Sequence, residues 1–205
     1  IGSGLGGLTT GVVLAKNGYR VTVLEQNPVP GGCLQCFTRR GVKFETGMHF
    51  VGSADEGQIL NRMMRYLEIA DRVELSRLDP RRYNVVCLGG QRFEFASGPE
   101  AFIERMADYF PSQRDNLSRY CRLVDRISAA SSLHTLKYGQ TDDALTAEYQ
   151  LRSVNDVIVS LTPDPLLRKV PAGDPPIYAA VWDKPPFSAP AFVRDFSGRR
   201  ASRVV

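Results

Sequence analysis

Apolar and polar residues along the chain follow two periods, one typical of helices and one typical of strands. After a glycine-rich start, apolar residues at helical spacing predict a helix over residues 5–17, with Gly18 as its cap. The stretch "YRVTVLE" then predicts a short buried strand that ends at Glu25. A helix followed directly by a buried strand indicates an α/β unit at the start of the chain.

Further along, the pattern predicts two hairpins and a series of helices. One hairpin covers residues 36–46, and the other surrounds Gly89-Gly90, a pair suited to the positive φ angles of a two-residue turn. Two capping boxes, Ser53 with Glu56 and Ser97 with Glu100, are expected to open helices. After the first helix, the sequence predicts one helix at residues 59–69 and another that begins at the Ser97 capping box and ends at residue 109. It also predicts a helix with an apolar stripe over residues 117–127, a helix at 153–161 with Ser153 as its cap, and a short helix at 166–170. Residues 131–143 are interpreted as a connector.

Composition excludes several classes of protein. The 205 residues are 43% hydrophobic, which is enough for a core and rules out a disordered chain. The net charge of +4 comes from arginines scattered along the chain, a distribution that favours a solvated surface over a nucleic-acid groove, so no nucleic-acid partner is expected. No uninterrupted apolar run approaches the length of a membrane span. Four scattered cysteines do not indicate a disulfide scaffold.

The chain opens on a glycine motif that suits a dinucleotide. Gly2, Gly4 and Gly7 satisfy G-x-G-x-x-G, and Glu25 stands at the end of the predicted strand. The first glycine permits a tight turn, the second lets main chain approach a diphosphate, and the third allows the helix to pack closely on a strand. The helix N-terminus then offers free N–H groups and partial positive charge. A carboxylate at position 25 suits ribose hydroxyls and repels a 2′-phosphate, so FAD or NAD fits better than NADP.

The residues that follow Glu25 narrow the class of dinucleotide-binding protein. The run "VLEQNPVPGGCLQCFTRRGVKFETGMHFVG" resembles the flavoprotein family of phytoene desaturases, carotenoid isomerases and retinol saturases, which are related to amine oxidases. Gly31-Gly32 matches the family's second glycine pair, and Glu45-Thr46-Gly47-Met48-His49 matches a third element that usually begins with Asp. Cys33 replaces a common Arg and resembles the retinol saturase branch, as does "DPLLRKV" followed by "AGDPPIYAA".

The resemblance implies an α/β fold: a Rossmann-like FAD-binding domain with part of a second, α+β substrate domain, both incomplete. It implies an FAD-dependent oxidoreductase that acts on carbon-carbon bonds of an isoprenoid, of carotenoid or retinoid type, by hydride transfer through flavin N5. The fragment alone is expected to be inactive, and no catalytic acid or base is assigned. The expected cofactor-binding residues are Gly2, Gly4, Leu5, Gly6, Gly7, Glu25, Gln26, Gly31, Gly32, Gly47 and His49.

Two kinds of side chain near this motif leave alternatives open. His49 is either a contact or proton donor beside the flavin or a structural histidine, and His134 receives no role. Cys33 and Cys36 form a C-x-x-C that could bind zinc or act as a redox dithiol, but packing beside the cofactor is favoured. No metal site is expected.

We expect residues 1–80 to form the N-terminal part of the FAD domain, residues 81–193 a partial substrate region, and residues 194–205 an unpacked tail. Ile1 would be the last residue of the strand that precedes the glycines, which suggests a fragment. The protein is expected to be cytoplasmic or peripherally associated with a membrane. Two rival interpretations are an amine oxidase-like flavoenzyme with a polar substrate and an inactive fragment of such an enzyme.

Overall fold

Helices dominate the part of the chain that the structure, a computed structural model, describes: residues 2–48, 50–137, 141–171, 186–189, 191–193 and 201–204. Within those residues the helices are α1 Leu5–Lys16, α2 Ile59–Tyr66, α3 Pro99–Tyr109, α4 Arg114–Ala129, α5 Ser132–Thr135, α6 Asp143–Leu151, α7 Val154–Leu161 and α8 Pro165–Lys169. The strands are β1 Cys36–Arg39, β2 Val42–Glu45, β3 Leu75–Arg77, β4 Asn84–Leu88, β5 Gln91–Phe95 and β6 Ser202–Val204.

Both predicted hairpins are confirmed. β1 pairs with β2 so that Phe37 faces Phe44, and β4 pairs with β5. Gly89 and Gly90 connect β4 to β5 with φ angles of 58° and 79°, the combination that a two-residue hairpin turn needs. The third antiparallel pair joins β3 to β6. The register of each hairpin therefore follows from its turn residues.

The predicted buried strand before Glu25 is wrong for the described structure. Residues 19–25 contain no regular strand, and the side chains of Tyr19 and Leu24 are 65% and 73% exposed. A strand exists only when a neighbouring strand accepts its hydrogen bonds. None of the three described sheets contains these residues, so the apolar pattern alone does not make a strand here.

The two predicted capping boxes are also wrong, although the helices behind them exist. Ser53 has a φ of 53°, outside the extended region that an N-cap uses, and α2 begins only after Gln58. α3 begins at Pro99 after Gly98, which takes the N-cap position at a φ of 92°. By contrast, the Ser153 cap is confirmed, because its hydroxyl accepts a hydrogen bond from the backbone of Asp156.

The expected connector at residues 131–143 contains helix α5 and the start of helix α6. Asp142 caps α6, with its carboxylate accepting a hydrogen bond from the N–H of Leu145. No residue of α6 is buried, so the helix lacks the apolar stripe by which a sequence pattern reveals a helix. The helix packs only in part, with the ring of Tyr149 5.9 Å from that of Phe187.

The buried core lies in the second half of the described chain. We call residues 83–171 the helical core, since β5, α3, α4, α7 and α8 supply most of the buried cluster and β4 packs partly buried residues against it. Phe93 stacks on Phe110 at 5.7 Å between ring centroids, and Phe95 meets Phe102 edge-on at 5.5 Å. The predicted apolar stripe of α4 is confirmed, because Leu117, Tyr120, Cys121, Val124 and Ile127 are all buried.

The tail prediction is wrong for residues 201–204. Ser202–Val204 forms β6, and Ala201 is 1% exposed. Ser202 also exchanges two backbone hydrogen bonds of 2.7 Å with Val51. Packing against distant strands, which carries no local periodicity, orders this segment. The domain boundaries at residues 80 and 193 stay predictions.

Candidate dinucleotide site

The predicted first helix is confirmed and begins directly after the glycine turn. α1 runs over Leu5–Lys16 with Gly4 at the N-cap position, and its first helical hydrogen bond joins the N–H of Leu8 to the carbonyl of Gly4. The preceding N–H groups of the first turn have no partner in the helix. Gly4 has no side chain and the first turn contains no acidic residue, so neither of them caps or neutralises this positive helix end.

Gly7 fixes the shape of the turn. A Cβ at this position would stand 2.1 Å from the carbonyl oxygen of Gly2, closer than real atoms allow. A Cβ at Gly6, by contrast, would meet nothing within 4 Å. The third glycine of the motif is therefore required by close approach within the turn itself, whereas the sequence predicted close packing of the helix on a strand.

The second glycine pair meets the first turn, backbone against backbone. Gly31 pairs with Gly4 in a parallel bridge, and its N–H donates to the carbonyl of Ser3 at 3.0 Å. Gly32 has a φ of 57°, and a Cβ there would lie 2.9 Å from the Cα of Gly4. The two glycine turns, separated by a helix in the sequence, thus form one surface of bare main chain.

Glu25 lies at this surface and binds the glycine turn. One carboxylate oxygen accepts from the backbone N–H of Ser3 at 3.2 Å and from the Ser3 hydroxyl. The other accepts from the backbone N–H of Asn27 at 2.9 Å and its side-chain amide at 3.1 Å. These hydrogen bonds, that of the Ser3 hydroxyl foremost, lower the pKa of Glu25 to about 2. The carboxylate therefore stays ionised at neutral pH.

Ser3 is a site residue that the sequence analysis missed. It is 3% exposed, and its hydroxyl lies 3.3 Å from the N–H of Gly31 while donating to Glu25. One serine thus connects the first glycine turn, the acid and the second glycine pair. It occupies a variable position of the glycine motif, and only a small polar side chain there could have signalled this role.

The other predicted residues occupy different surroundings. Leu5 is 63% exposed, and Gln26 is also exposed. Gly47 lies close to the backbone of Cys33, since a Cβ at position 47 would stand 2.6 Å from the carbonyl oxygen of Cys33. His49 lies outside the described residues, as does "AGDPPIYAA".

The cysteines of the C-x-x-C are both free thiols. Cys33 is exposed, and Cys36 begins β1 as predicted. Within the described ranges, no group of three or more His, Cys, Asp and Glu residues is placed to hold a metal ion. In the same part of the chain, no helix is both long enough and apolar enough to cross a bilayer.

Comparison with known proteins defines the class of this site. Residues 1–67 match the family model of the NAD(P)-binding Rossmann-like domain, so the glycine turns, α1 and α2 lie within a Rossmann-like dinucleotide-binding region. The predicted α/β, Rossmann-like fold class is confirmed by this match.

Individual relatives narrow the class. Human all-trans-retinol 13,14-reductase is 34% identical over 139 residues, which cover 64% of this chain and 22% of that protein. A chloroplastic prolycopene isomerase 2 from an Oncidium hybrid cultivar is 32% identical over 121 residues, covering 58% and 20%. A neurosporene-forming phytoene desaturase from Cereibacter sphaeroides is 35% identical over 111 residues, covering 54% and 21%. These matches confirm, over the residues that they cover, the predicted resemblance to the family that contains retinol reductases, carotenoid isomerases and phytoene desaturases. It spans about a fifth of the length of these relatives.

Proposed function

We propose that the two glycine turns bind the diphosphate of FAD. The observation that carries this proposal is the contact of Gly4 with Gly31 and Gly32, which presents bare backbone from two turns beside the N-terminus of α1. A nicotinamide cofactor needs one phosphate-binding turn. A second close approach of main chain favours a longer cofactor, whose diphosphate and ribityl chain extend past the helix end.

Glu25 is proposed to serve the adenosine ribose while it holds the turn. Its two oxygens already accept four hydrogen bonds, which is about the capacity of a carboxylate. A ribose hydroxyl therefore has to replace one donor, and the exposed side-chain amide of Asn27 is the one whose loss leaves the Ser3 turn intact. An ionised carboxylate at this place disfavours a 2′-phosphate, which argues against NADP.

The complete protein is proposed to be an oxidoreductase that acts on carbon-carbon bonds of an isoprenoid. Three relatives named for reactions of retinol, prolycopene and phytoene support this substrate class. The bound flavin would supply hydride transfer at N5, whereas the residues of this chain bind and orient its diphosphate and adenosine end. We assign this chain no catalytic acid or base.

Titration of the full chain with FAD, followed by flavin fluorescence, tests the cofactor. We expect FAD to bind and NADP to compete poorly. Gly32→Ala should weaken FAD binding by more than about tenfold, because it places a methyl group between the turns at a strained φ. Gly6→Ala is the matched control, since its Cβ meets nothing within 4 Å. Binding of NADP in preference to FAD, or equal loss in both variants, would contradict the proposal.

The substrate class is tested with the whole protein, including any segments that precede or follow residues 1–205. Purified protein should bleach its flavin absorption when reduced and regain it with an isoprenoid that accepts hydride, such as a retinoid. If amines restore the flavin absorption and isoprenoids do not, the substrate is polar and the isoprenoid assignment is rejected. The cofactor assignment is tested separately by the FAD titration.

A further inference from the structure

The β1–β2 hairpin exposes a cluster of apolar side chains. Every residue from 37 to 47 is exposed, and neither strand pairs with a third strand in the sheets that the structure describes. Phe37 and Phe44 stack with their ring centroids 5.3 Å apart, yet the two residues stay 53% and 44% exposed. Val42 is 55% exposed. Clustered apolar side chains on a surface are typical of an interaction site, whereas single ones are ordinary.

The register of the hairpin places these residues on one face together with an arginine. Opposite residues of an antiparallel pair share a face, and every second residue along a strand returns to it. Phe37 pairs with Phe44, and Arg39 pairs with Val42 two positions further along each strand, so all four lie on one face. Glu45 follows Phe44 directly, which puts this acidic residue on the other face.

The turn of the hairpin carries a cluster of positive charge. Arg40 and Gly41 form the turn with φ angles of 51° and 78°, and Arg39 and Lys43 lie beside it. Residues 26–44 contain no acidic residue. Among the described residues, none of the three cations forms an ion pair. The hairpin therefore presents exposed rings and uncompensated positive charge together.

This combination favours one class of partner. A second copy of the hairpin would bring like charges together, and a neutral apolar surface would desolvate the cations without a counter-charge. Bases of single-stranded nucleic acid stack on open ring faces, whereas Phe37 and Phe44 stack on each other with an interplanar angle of 12°. An anionic bilayer accepts apolar side chains at the boundary between headgroups and acyl chains, and its surface attracts arginine and lysine.

We propose that the β1–β2 hairpin docks the protein on the surface of an anionic lipid bilayer. Phe37, Phe44 and Val42 enter the boundary between headgroups and acyl chains. Arg39 and Arg40 remain at the level of the headgroups, where the planar guanidinium group suits bidentate hydrogen bonding to phosphate oxygens. The hairpin strands contain none of the expected cofactor-binding residues, so membrane docking and FAD binding can succeed or fail separately.

Co-sedimentation of the full chain with vesicles tests the proposal. Binding to phosphatidylcholine vesicles that contain about 30% phosphatidylserine should be at least about tenfold tighter than binding to phosphatidylcholine alone, because each cation near an anionic surface strengthens binding about fivefold. Arg39→Gln combined with Arg40→Asn should weaken binding to the anionic vesicles by more than about tenfold, and Asn suits the positive φ at position 40. The matched control is Arg119→Gln combined with Arg122→Gln, which removes the same charge from exposed positions of α4 and should change binding by less than about threefold.

A second pair of variants tests whether the apolar face enters the bilayer. The fluorescence that Val42→Trp adds to the parent chain should shift to shorter wavelength on anionic vesicles and be quenched by brominated acyl chains. Val159→Trp is the matched control, because Val159 is 43% exposed on α7, away from the hairpin, and its added fluorescence should keep its wavelength and intensity.

Four results would overturn the proposal: equal binding to neutral and anionic vesicles, equal loss in the two double variants, equal quenching of the two tryptophans, or tighter binding of a single-stranded oligonucleotide than of the vesicles. FAD affinity should be unchanged in Arg39→Gln with Arg40→Asn. A parallel loss of FAD affinity would mean that the hairpin supports the glycine turns instead of a membrane contact. The whole protein should rank the two double variants in the same order, and loss of that order would also overturn the proposal.

Discussion

We call residues 2–48 the glycine-loop segment. Different interactions stabilise this segment and the helical core. In the glycine-loop segment only Ser3 and Gly11 are buried, and apolar residues such as Leu5 and Leu24 are mostly exposed. In the helical core, by contrast, Phe93 and Met106 are both fully buried. The segment keeps its shape through backbone contacts and one carboxylate, whereas the core keeps its shape through apolar burial.

This difference teaches that the two regions respond to different changes. Burial of apolar surface contributes most of the free energy of folding, so changes in the helical core act on the unfolding of the whole protein. The glycine-loop segment has few such contacts, and regions of that kind open locally at lower cost. Ligand and pH are therefore expected to act on the segment first.

The largest effect should come from removing a core aromatic ring. Phe93→Ala should lower the free energy of unfolding by about 3–5 kcal/mol, because it leaves a cavity beside Phe110 and Tyr109. Phe37→Ala is the matched variant in the segment: it also lies in a hairpin, but it is 53% exposed and loses only its stacking on Phe44, worth about 1 kcal/mol. Urea unfolding followed by circular dichroism measures both. Equal losses would erase the distinction between the regions.

Next, Gly7→Ala should disrupt the glycine turn and leave the core folded. The new Cβ cannot coexist with the Gly2 carbonyl, so we expect FAD affinity to fall by more than about tenfold and the amides of α1 to exchange faster. Hydrogen exchange measured by mass spectrometry distinguishes α1 from the helical core, and Gly6→Ala serves as the control. Faster exchange throughout the core would show that the regions are not independent.

A smaller effect is expected from loss of a helix cap inside the core. Ser153→Ala removes the hydrogen bond from the Asp156 backbone and should lower the free energy of unfolding by about 1 kcal/mol. Thermal unfolding detects such a change, and Ser153→Asp, which preserves a capping oxygen, should restore most of it. An unchanged midpoint in Ser153→Ala would mean that the packing of α7 alone sets its stability.

Protonation of Glu25 at low pH should have the smallest effect on global stability, and its effect should be confined to the glycine turn. Its pKa falls from 4.5 to about 2 in the folded chain, so its stabilising bonds are fully present above pH 4.5. They are lost as the pH falls from there through about 2. We expect the amide signals of Ser3 and Asn27 to shift in this window and to stay constant in Glu25→Gln. NMR titration checks this, and a midpoint near 4.5 would mean that these bonds are weak in solution.

The sequence predicts elements whose signal is local. The β4–β5 hairpin follows from its Gly89-Gly90 turn, and α4 follows from an apolar stripe whose residues are all buried. Such a signal is missing for α6, which buries no residue, and misleads at Ser53, where a φ of 53° replaces the extended backbone of an N-cap. Residues 202–204 pair with strands far along the chain, so no local pattern could predict them.

The candidate site also contains residues that the sequence predicts and residues that it does not. Spacing alone predicts that Gly4, Gly7 and Glu25 meet, because each position has a defined task in a dinucleotide-binding turn. It does not predict Ser3, whose hydroxyl matters only because Gly31, 28 positions away, returns to it. Nor does spacing show that the carboxylate of Glu25 is already fully engaged with its own chain.

The pairing of Val51 with Ser202 has a consequence for how the chain is made. The two residues lie about 150 positions apart, and contacts of such long range are entropically costly and form late. During translation, residues 50–51 and 75–77 must wait until residues 201–204 have left the ribosome. The helical core can form on the nascent chain before then, whereas the seam that β6 closes can form only after residues 201–204 have been made.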